Sequence, residues 1–359
     1  MNLNLLTTIS TIFKYIGYGA IAVLVLLLMI TVHEFGHYVV GKIFKFDIEE
    51  FSIGFGPKLY SKEKKNGEIF SVRVLPLGGF CQFSGEDEEN TNPNSFTNKK
   101  PYQRILVLIA GAFMNYILAV ILIMAMFGVY GQNALKVDSL SPITEQENVF
   151  EIDDTIISIN NKRVYLTTDL MKQLEGKKQG EEVSFTVLRN GKEKDITVTL
   201  ANDGTFSNIE DNRSILIALG VQQMSSTSIH LGFFRTIGNS FQYSFRLGGT
   251  IFTVIHQLFN GKLGINSMGG TITTISVTTQ AIMNGGLRYL LYIASFIGVN
   301  LAVFNLLPIP ALDGSRVIFC LIEWITKKPV NRKIENIVHT VGFILLMCFA
   351  VFVDLQQCF

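Results

Sequence analysis

Four long apolar runs limit what this chain of 359 residues can fold into. A helix that spans a bilayer needs about 20 mostly apolar residues, because the hydrocarbon core is roughly 30 Å thick. Such runs cover residues 16–32, about the first 25 of residues 105–135, residues 289–312 with two internal prolines, and residues 336–353. The runs predict a polytopic α-helical membrane protein with about four transmembrane helices.

The overall composition agrees with the membrane class. Hydrophobic residues make up 48% of the chain and charged residues 16%, and the mean hydropathy is +0.35. The formal net charge of +1 provides no field that would attract nucleic acid, so we expect no such partner. The four cysteines form no CxxC pair, which argues against a disulfide framework and a cysteine metal site. No small-residue cleavage site precedes the first run, so we expect it to remain as a span.

Basic residues are concentrated in the loop after the first span and in the loop between the third and fourth spans. Because lysine and arginine are enriched in cytoplasmic loops, we expect both loops to face the cytoplasm. Both termini and residues 131–288 would then lie outside. The basic residues concerned are Lys42, Lys45, Lys58, Lys62, Lys64, Lys65, Lys99, Lys100 and Arg104 in the first region and Arg316, Lys327, Lys328, Arg332 and Lys333 in the second.

The segments between the spans carry their own patterns. Asn66-Gly67 is a hairpin turn signal, and the alternation that follows it predicts β-hairpins close to the membrane within residues 46–86. Residues 136–222 are polar and strand-rich with one short helix, and residues 231–260 carry a helical apolar stripe suited to a membrane surface. Packing of this helix against the β-rich module is the alternative. The chain is thus divided into residues 1–135, 136–222, 223–287 and 288–359.

The sequence HEFGH ends the first span. On a helix, His33 and His37 lie one turn apart on one face, where both imidazoles can reach one zinc ion. Glu34 lies beside them, placed to activate a water as general base. The alternative is a pair of core histidines near the interface, but ionisable residues inside a membrane are rare and usually functional.

A hydrolytic zinc site uses three protein ligands and leaves one position for water. His230, His256 and His339 are available as the third ligand, but Asp313 fits better. It follows the proline-broken end of the third span, on the same membrane side as HEFGH by the loop assignment. An ordinary interfacial aspartate in a turn is the alternative.

Together, HEFGH and NLAVFNLLPIPALDG resemble the motifs of the site-2 protease family of intramembrane zinc metalloproteases. The match extends over nearly the whole chain. RILVLIAGAFMNYILAV is similar to the second-span motif of the family, FSIGFGPKLYS and VRVLPLGGFCQFSGED to its membrane-associated β-hairpin region, and DTIISINNKRV to the core of an inserted PDZ domain. The resemblance therefore implies membrane-associated β-hairpins and an inserted β-rich PDZ-like domain at residues 136–222.

The resemblance also implies roles for individual residues. His33, His37 and Asp313 would bind one zinc ion per chain, and Glu34 would be the catalytic base. Asn300 and Asn305 would support the substrate or the transition state, as an amide facing the site could; Asn115 has either a similar role or a helix–helix hydrogen bond. The hairpin would bind substrate as an added strand, because an unwound segment has free backbone groups to satisfy. The residues expected to dock it are Val72, Val74, Gly78 and Gly79.

Some positions depart from the family pattern. Ala112 stands where the second-span motif has proline, and Ser315 where the terminal motif usually has a second glycine. The start of the PDZ-like domain shows no glycine-rich carboxylate-binding loop, so this domain is not expected to grip a free C-terminus.

The sequence therefore predicts a zinc endopeptidase that cleaves single-span membrane proteins by zinc-activated water attack, as in regulated intramembrane proteolysis. The expected location is the cell membrane, with the active site toward the cytoplasm and the PDZ-like domain outside. The family implies an upstream site-1 protease acting on the same substrate. A non-catalytic membrane adaptor and a metal transporter are the alternatives; the first would lack part of the HEFGH–Asp313 set, and the second would spread its ligands over several spans.

Overall fold

The computed structural model describes residues 2–86, 91–141, 149–174, 176–201, 212–261, 264 and 269–356. In chain order its elements are α1 (Asn2–Ile43), β1 (Ile48–Glu63), β2 (Ile69–Phe83), α2 (Pro101–Tyr130), β3 (Gln132–Leu140), β4 (Thr155–Ile159), β5 (Lys162–Arg163), α3 (Thr167–Leu174), β6 (Glu182–Arg189), β7 (Lys192–Thr199), α4 (Asn212–Ala218), β8 (Val221–Ile229), α5 (Phe233–Phe259), α6 (Thr271–Leu306), α7 (Asp313–Thr326) and α8 (Arg332–Gln356). A 3₁₀ turn at Phe96–Asn98 precedes α2. The chain divides into two compact units, residues 1–125 with 237–359 and residues 126–236.

Four of the described helices are long and apolar enough to cross a membrane. They cover Phe13–Ile43, Pro101–Tyr130, Ile272–Leu306 and Arg332–Gln356. The predicted membrane class and the presence of β-sheets are thereby confirmed. In the first unit, the fully buried Met29 of α1 packs with Ala294 and Ile297 of α6. This contact places the third long helix beside the helix that carries HEFGH.

Helix α6 differs from the sequence expectation at both ends. It begins at Thr271, where a linker was expected, and it bends at Gly286, whose φ of 60° is unfavourable for other residues. It ends at Leu306 rather than continuing to residue 312. The early end has a steric cause, because Leu307 precedes a proline and the residue before proline avoids helical geometry.

The first unit contains a two-stranded sheet of β1 and β2, joined by the turn at Asn66-Gly67. The first residues of β1 pair both with the beginning and with the end of β2. Ser52, for example, pairs with Ser71 and with Phe80. Aromatic side chains of this sheet pack on the beginning of α2 and on α7 in one buried cluster. Its buried members are Phe46, Ile48, Phe51, Cys81, Phe83, Phe96, Ile105, Val107, Leu108 and Cys320. The sheet is thus fixed against the helices that carry the site, while its association with the membrane stays a prediction.

The second unit holds a six-stranded sheet in the order β7-β6-β4-β3-β8, with β5 paired to β4. Strands β6 and β7 form a hairpin at Asn190-Gly191, as the sequence indicated. Helices α3 and α4 contribute Leu170, Leu174, Ile215 and Ala218 to its apolar core. The assignment of this unit to the PDZ class stays a prediction.

The predicted amphipathic segment, residues 231–260, is helical from Phe233 to Phe259. The hydroxyl of its Ser244 lies 2.8 Å from that of Tyr116 on α2. Phe245 and Phe252 remain largely exposed. This part of α5 therefore packs on α2, and its place on a membrane surface stays a prediction.

Candidate metal centre

Helix α1 brings the two histidines of HEFGH together. The Nε2 atoms of His33 and His37 are 3.1 Å apart, and both side chains are buried. Four residues advance a helix by just over one turn, so the two rings lie one above the other on the same face. The rings meet edge to face with their centroids 4.7 Å apart.

Asp313, at the start of α7, reaches the same point from a distant part of the chain. Its Oδ2 lies 3.0 Å from Nε2 of His33 and 3.3 Å from Nε2 of His37. The adjacent Gly314 makes this approach possible, because a Cβ at that position would overlap the carbonyl groups of Leu306 and Leu307. The proline-broken segment thus folds back tightly on the end of α6 and turns Asp313 inward.

His339 holds this segment rather than completing the ligand set. Its Nδ1 accepts the backbone N–H of Ala311 at 3.2 Å. Ala311 has a φ of 79°, which is unfavourable for a residue other than glycine. The contact from α8 therefore supports a strained turn two residues before Asp313.

Hydrogen bonds on the far sides of the imidazoles orient them. Nδ1 of His37 lies 2.8 Å from the carbonyl oxygen of Val107, which can only accept, so this nitrogen carries the proton and Nε2 is left with a lone pair. Nδ2 of Asn305 lies 3.3 Å from Nδ1 of His33. If the amide group of Asn305 is rotated by 180°, its oxygen faces Nδ1 of His33 instead. This oxygen would then accept a hydrogen bond from Nδ1, which leaves Nε2 of His33 with a lone pair, as in His37. Asn305 therefore lies behind a candidate ligand, His33.

The donor set fits zinc. Tetrahedral coordination with bonds of about 2.0–2.1 Å separates ligand atoms by roughly 3.3 Å, close to the three separations of 3.0–3.3 Å among His33, His37 and Asp313. Oδ2 of Asp313 is buried and accepts no hydrogen bond from the residues that the structure describes. Two imidazole lone pairs and a carboxylate oxygen that face one point repel each other unless a cation lies between them.

Two glycines let the helices come close enough to build this site. A Cβ on Gly111 of α2 would lie 2.5 Å from Nε2 of His37 and 2.7 Å from Cε1 of His33. A Cβ on Gly36 of α1 would overlap the carbonyl of Ala110. Small residues at helix crossings in membranes allow such approaches. Gly111 was not among the predicted site residues; its place in a small-residue stretch of the second span was the signal that could have pointed to it.

Glu34 lies beside the candidate ligands and next to the edge of β2. Its Oε2 accepts the backbone N–H of Cys81 at 3.0 Å. A Cβ added to Gly79 would lie 3.7 Å from Cγ of Glu34. Glu34, His37 and Asp313 together line a cavity of about 270 Å³. One carboxylate oxygen of Glu34 is thus held by the sheet, in the cavity that is also lined by two of the candidate ligands, His37 and Asp313.

The predicted docking residues are distributed unevenly around this cavity. Gly79 lies against Glu34, and Gly78 has a φ of 143° with the Phe55 ring where a Cβ would be. Val74 is exposed. Val72 pairs with Ile53 on one side and with Tyr60 on the other, so both of its edges are occupied and it is not free to dock a strand. The edge that faces Glu34 is formed by residues 79–83.

The structure does not bring Asn300 to this cavity. Asn300 lines a second cavity of about 470 Å³ with residues of α1, α6 and α8, among them Leu26 and Val353. Asn115 is fully buried on α2, one turn beyond Gly111, and its amide has no partner among the described residues. The supporting role expected of Asn300 stays a prediction.

Comparison with known proteins agrees with this geometry. The family model for peptidase family M50 matches residues 21–349. The chain is 33% identical to a candidate zinc metalloprotease of Fusobacterium nucleatum, covering 94% of this chain and 97% of the relative, and 33% identical to one of Clostridium perfringens, covering 95% and 98%. It is 27% identical to the zinc metalloprotease RasP of Geobacillus kaustophilus, covering 91% and 95%. The chain therefore belongs to peptidase family M50, the site-2 protease family.

Proposed function

We propose that this protein is an intramembrane zinc endopeptidase that cleaves single-span membrane proteins within or beside the bilayer. The zinc metalloprotease class follows from the family. The observation that supports the finer proposal is the convergence of His33, His37 and Asp313 beside Glu34, at the end of a helix long enough to span a membrane.

In this proposal, His33, His37 and Asp313 hold the metal. A zinc ion held there would supply Lewis acidity to a water molecule and to the scissile carbonyl group. Because Cys81 holds Oε2 of Glu34, the other carboxylate oxygen is left to take a proton from the attacking water. Glu34 then gives this proton to the leaving amine, so the peptide bond breaks with the net addition of one water.

The substrate is proposed to lie in extended form along residues 79–83 of β2. A segment that unwinds in a place with little water must have its backbone groups satisfied, and the carbonyl oxygens of a strand edge can accept its N–H groups. The N–H groups of Cys81 and Phe83 on this edge already donate to Glu34 and Glu86. Gly79 supports this placement, because its backbone lies close enough to Glu34 that a Cβ there would be in van der Waals contact with Cγ of Glu34.

The setting of the reaction is part of the same proposal. The positive residues of the short loops favour a site that opens to the cytoplasm and a residue 126–236 unit outside. Prior shortening of the substrate by a site-1 protease, and a role in regulated intramembrane proteolysis, are proposed from the family resemblance alone.

The proposal is tested with purified protein in detergent and a synthetic apolar peptide of about 20 residues that carries a fluorophore and a quencher. Glu34→Gln should abolish cleavage and keep zinc, because the base is removed and the ligands remain. Asp313→Ala should lose zinc and cleavage together. Glu181→Gln, in the other unit, is the control. Cleavage by Glu34→Gln at the wild-type rate, or full zinc occupancy in Asp313→Ala, would contradict the assignments.

A further inference from the structure

The cavity that contains Glu34, His37 and Asp313 is also lined by a charged pair outside the metal centre. These residues are Glu86, which follows β2, and Arg316 in the first turn of α7. Oε1 of Glu86 accepts a hydrogen bond from Nη1 of Arg316. The side chains are 17% and 30% exposed, so the pair is partly shielded from water and attracts more strongly than a fully exposed pair would.

Arg316 shares a helix face with the third candidate ligand. It follows Asp313 by three residues on α7, and residues three apart are neighbours on a helix surface. An ion pair formed by the guanidinium of Arg316 therefore helps to fix the position of the helical turn that presents the carboxylate of Asp313.

Glu86 is attached to the end of the strand edge. Its Oε2 accepts the backbone N–H of Phe83 at 3.3 Å, and its own N–H donates to the carbonyl of Phe83 at 3.3 Å. Phe83 lies two residues beyond Cys81, whose N–H donates to Glu34. Alternate N–H groups of a strand point to the same side. The edge of residues 79–83 is thus held at Cys81 by the catalytic base and at Phe83 by Glu86.

We propose that the Glu86–Arg316 pair is a positioning device that sets the separation between the substrate-docking edge of β2 and the turn of α7 that presents Asp313. The inference rests on the proposed peptidase function. An extended segment laid on residues 79–83 takes its position from that edge, whereas the metal takes its position partly from Asp313. The pair ties the two together across the cavity, and so determines whether the scissile carbonyl arrives beside the metal. Geometric errors of this kind reduce catalysis strongly, because reacting atoms must be held close together.

The test is a charge exchange: Arg316→Glu, Glu86→Arg and the double variant, with Arg316→Lys as the conservative change. Three more acidic residues, Asp87, Glu88 and Glu89, follow Glu86 in the sequence. Neutralising Glu86 alone would leave these as alternative partners for Arg316, so the charges are reversed instead. Zinc content, thermal midpoint in detergent, kcat and KM are measured with the fluorogenic apolar peptide. The control is Lys177→Glu, which reverses an exposed ion pair with Glu181 in the other unit.

Each single reversal should lower kcat/KM by about tenfold or more with zinc content unchanged, and the double variant should recover to within about threefold of wild type. Arg316→Lys should keep most of the activity. Wild-type kcat/KM in both single variants, or no recovery in a stably folded double variant, would overturn the inference. A rise in kcat/KM in the single-reversal variants would also overturn the inference, because it would show that the ion pair hinders substrate binding at the edge. Failure of the peptidase proposal looks different: the wild type itself would not cleave, or Glu34→Gln would match it.

Discussion

Gly111 leaves room for two imidazoles by having no side chain. It lies on the stripe of α2 that also presents the carbonyl of Val107 to His37, four residues earlier. Any larger residue would have to displace one ring or push α2 away from α1. At the scale of single residues, the metal centre therefore depends on a position that contributes no ligand.

Replacing Gly111 with valine should lower zinc affinity by at least about tenfold, the size of effect seen when groups that support metal ligands are lost. The reason is the overlap of the new Cβ with both rings. The measurement is a competition titration of the purified protein against a zinc chelator. Gly128→Val on the same helix is the matched control, because a Cβ there meets no atom within 4 Å other than those of its chain neighbours and of its own helix backbone. Equal zinc affinity in the two variants would contradict this role.

The sequence predicted residues whose spacing or position along a span was informative. His33 and His37 are spaced by one helical turn, and Asp313 is predicted because it follows the end of a span on the same expected side of the membrane. The structure brings these three residues together. Gly111 and the Glu86–Arg316 pair were not predicted. For Gly111 the small-residue stretch of the second span was the available signal. The contact between Glu86 and Arg316 joins segments far apart in the chain, which single-sequence patterns do not encode.

The strand pair β1–β2 is fastened to the end of α1 by a buried carboxylate. Glu68, just after the hairpin turn, is 1% exposed and pairs with the ammonium groups of Lys42 on α1 and of Lys64, which directly follows β1. Burial alone would raise the pKa of Glu68, but hydrogen bonds from Lys42, Lys64 and Tyr38 lower it to about 2. This clamp fixes the far end of the sheet whose other edge faces Glu34.

Glu68→Gln should therefore destabilise the protein near neutral pH, by an amount on the order of 2 kcal/mol for a charged hydrogen bond. The folded pKa lies below the unfolded one, so the stabilisation is fully present above about pH 4.5 and is lost as the pH falls toward about 2. Thermal midpoints of wild type and Glu68→Gln in detergent, measured across this range, should converge on acidification. The exposed Glu49→Gln is the control. A gap that stays constant with pH would rule out the charge as its source.

The proposed docking edge makes a prediction that leaves the protein unchanged. In strand pairing only every second amide of the substrate faces the enzyme. Apolar peptides N-methylated at successive positions across the cleaved segment should therefore lose cleavage with a period of two residues. The measurement is kcat/KM for the series, with a peptide methylated outside that segment as control. A loss that is uniform along the series would argue against docking as a strand.

Elements were predicted best where their signal is local. The turn at Asn66-Gly67 and the long apolar helices followed from sequence, whereas the beginning of α6 did not. Residues 271–279 are rich in threonine and β-branched side chains, which have low helix propensity. In the structure they are helical, and the hydroxyls of Thr274 and Thr279 bond to backbone carbonyls four residues earlier.

At the scale of the whole molecule, the sequence predicts the orientation of the chain across the membrane. We expect residue 161 to be outside and residue 327 inside, because of the basic residues in the short loops. Single cysteines at Asn161 and Lys327, in a chain whose four native cysteines are replaced by serine, should differ in intact cells: a membrane-impermeant maleimide should label the first alone. Labelling after lysis is the control for accessibility. Labelling of the second site alone would reverse the topology.

The contact between Ala311 and His339 has a consequence for the order of synthesis. The candidate ligands of α1 leave the ribosome early, but the strained turn before Asp313 is held by an imidazole from α8, which is synthesised after it. A nascent chain that lacks α8 has no donor–acceptor partner of this kind for Ala311. We therefore expect peptidase activity to appear only after α8 has been inserted, well after the histidines of α1 are in the membrane.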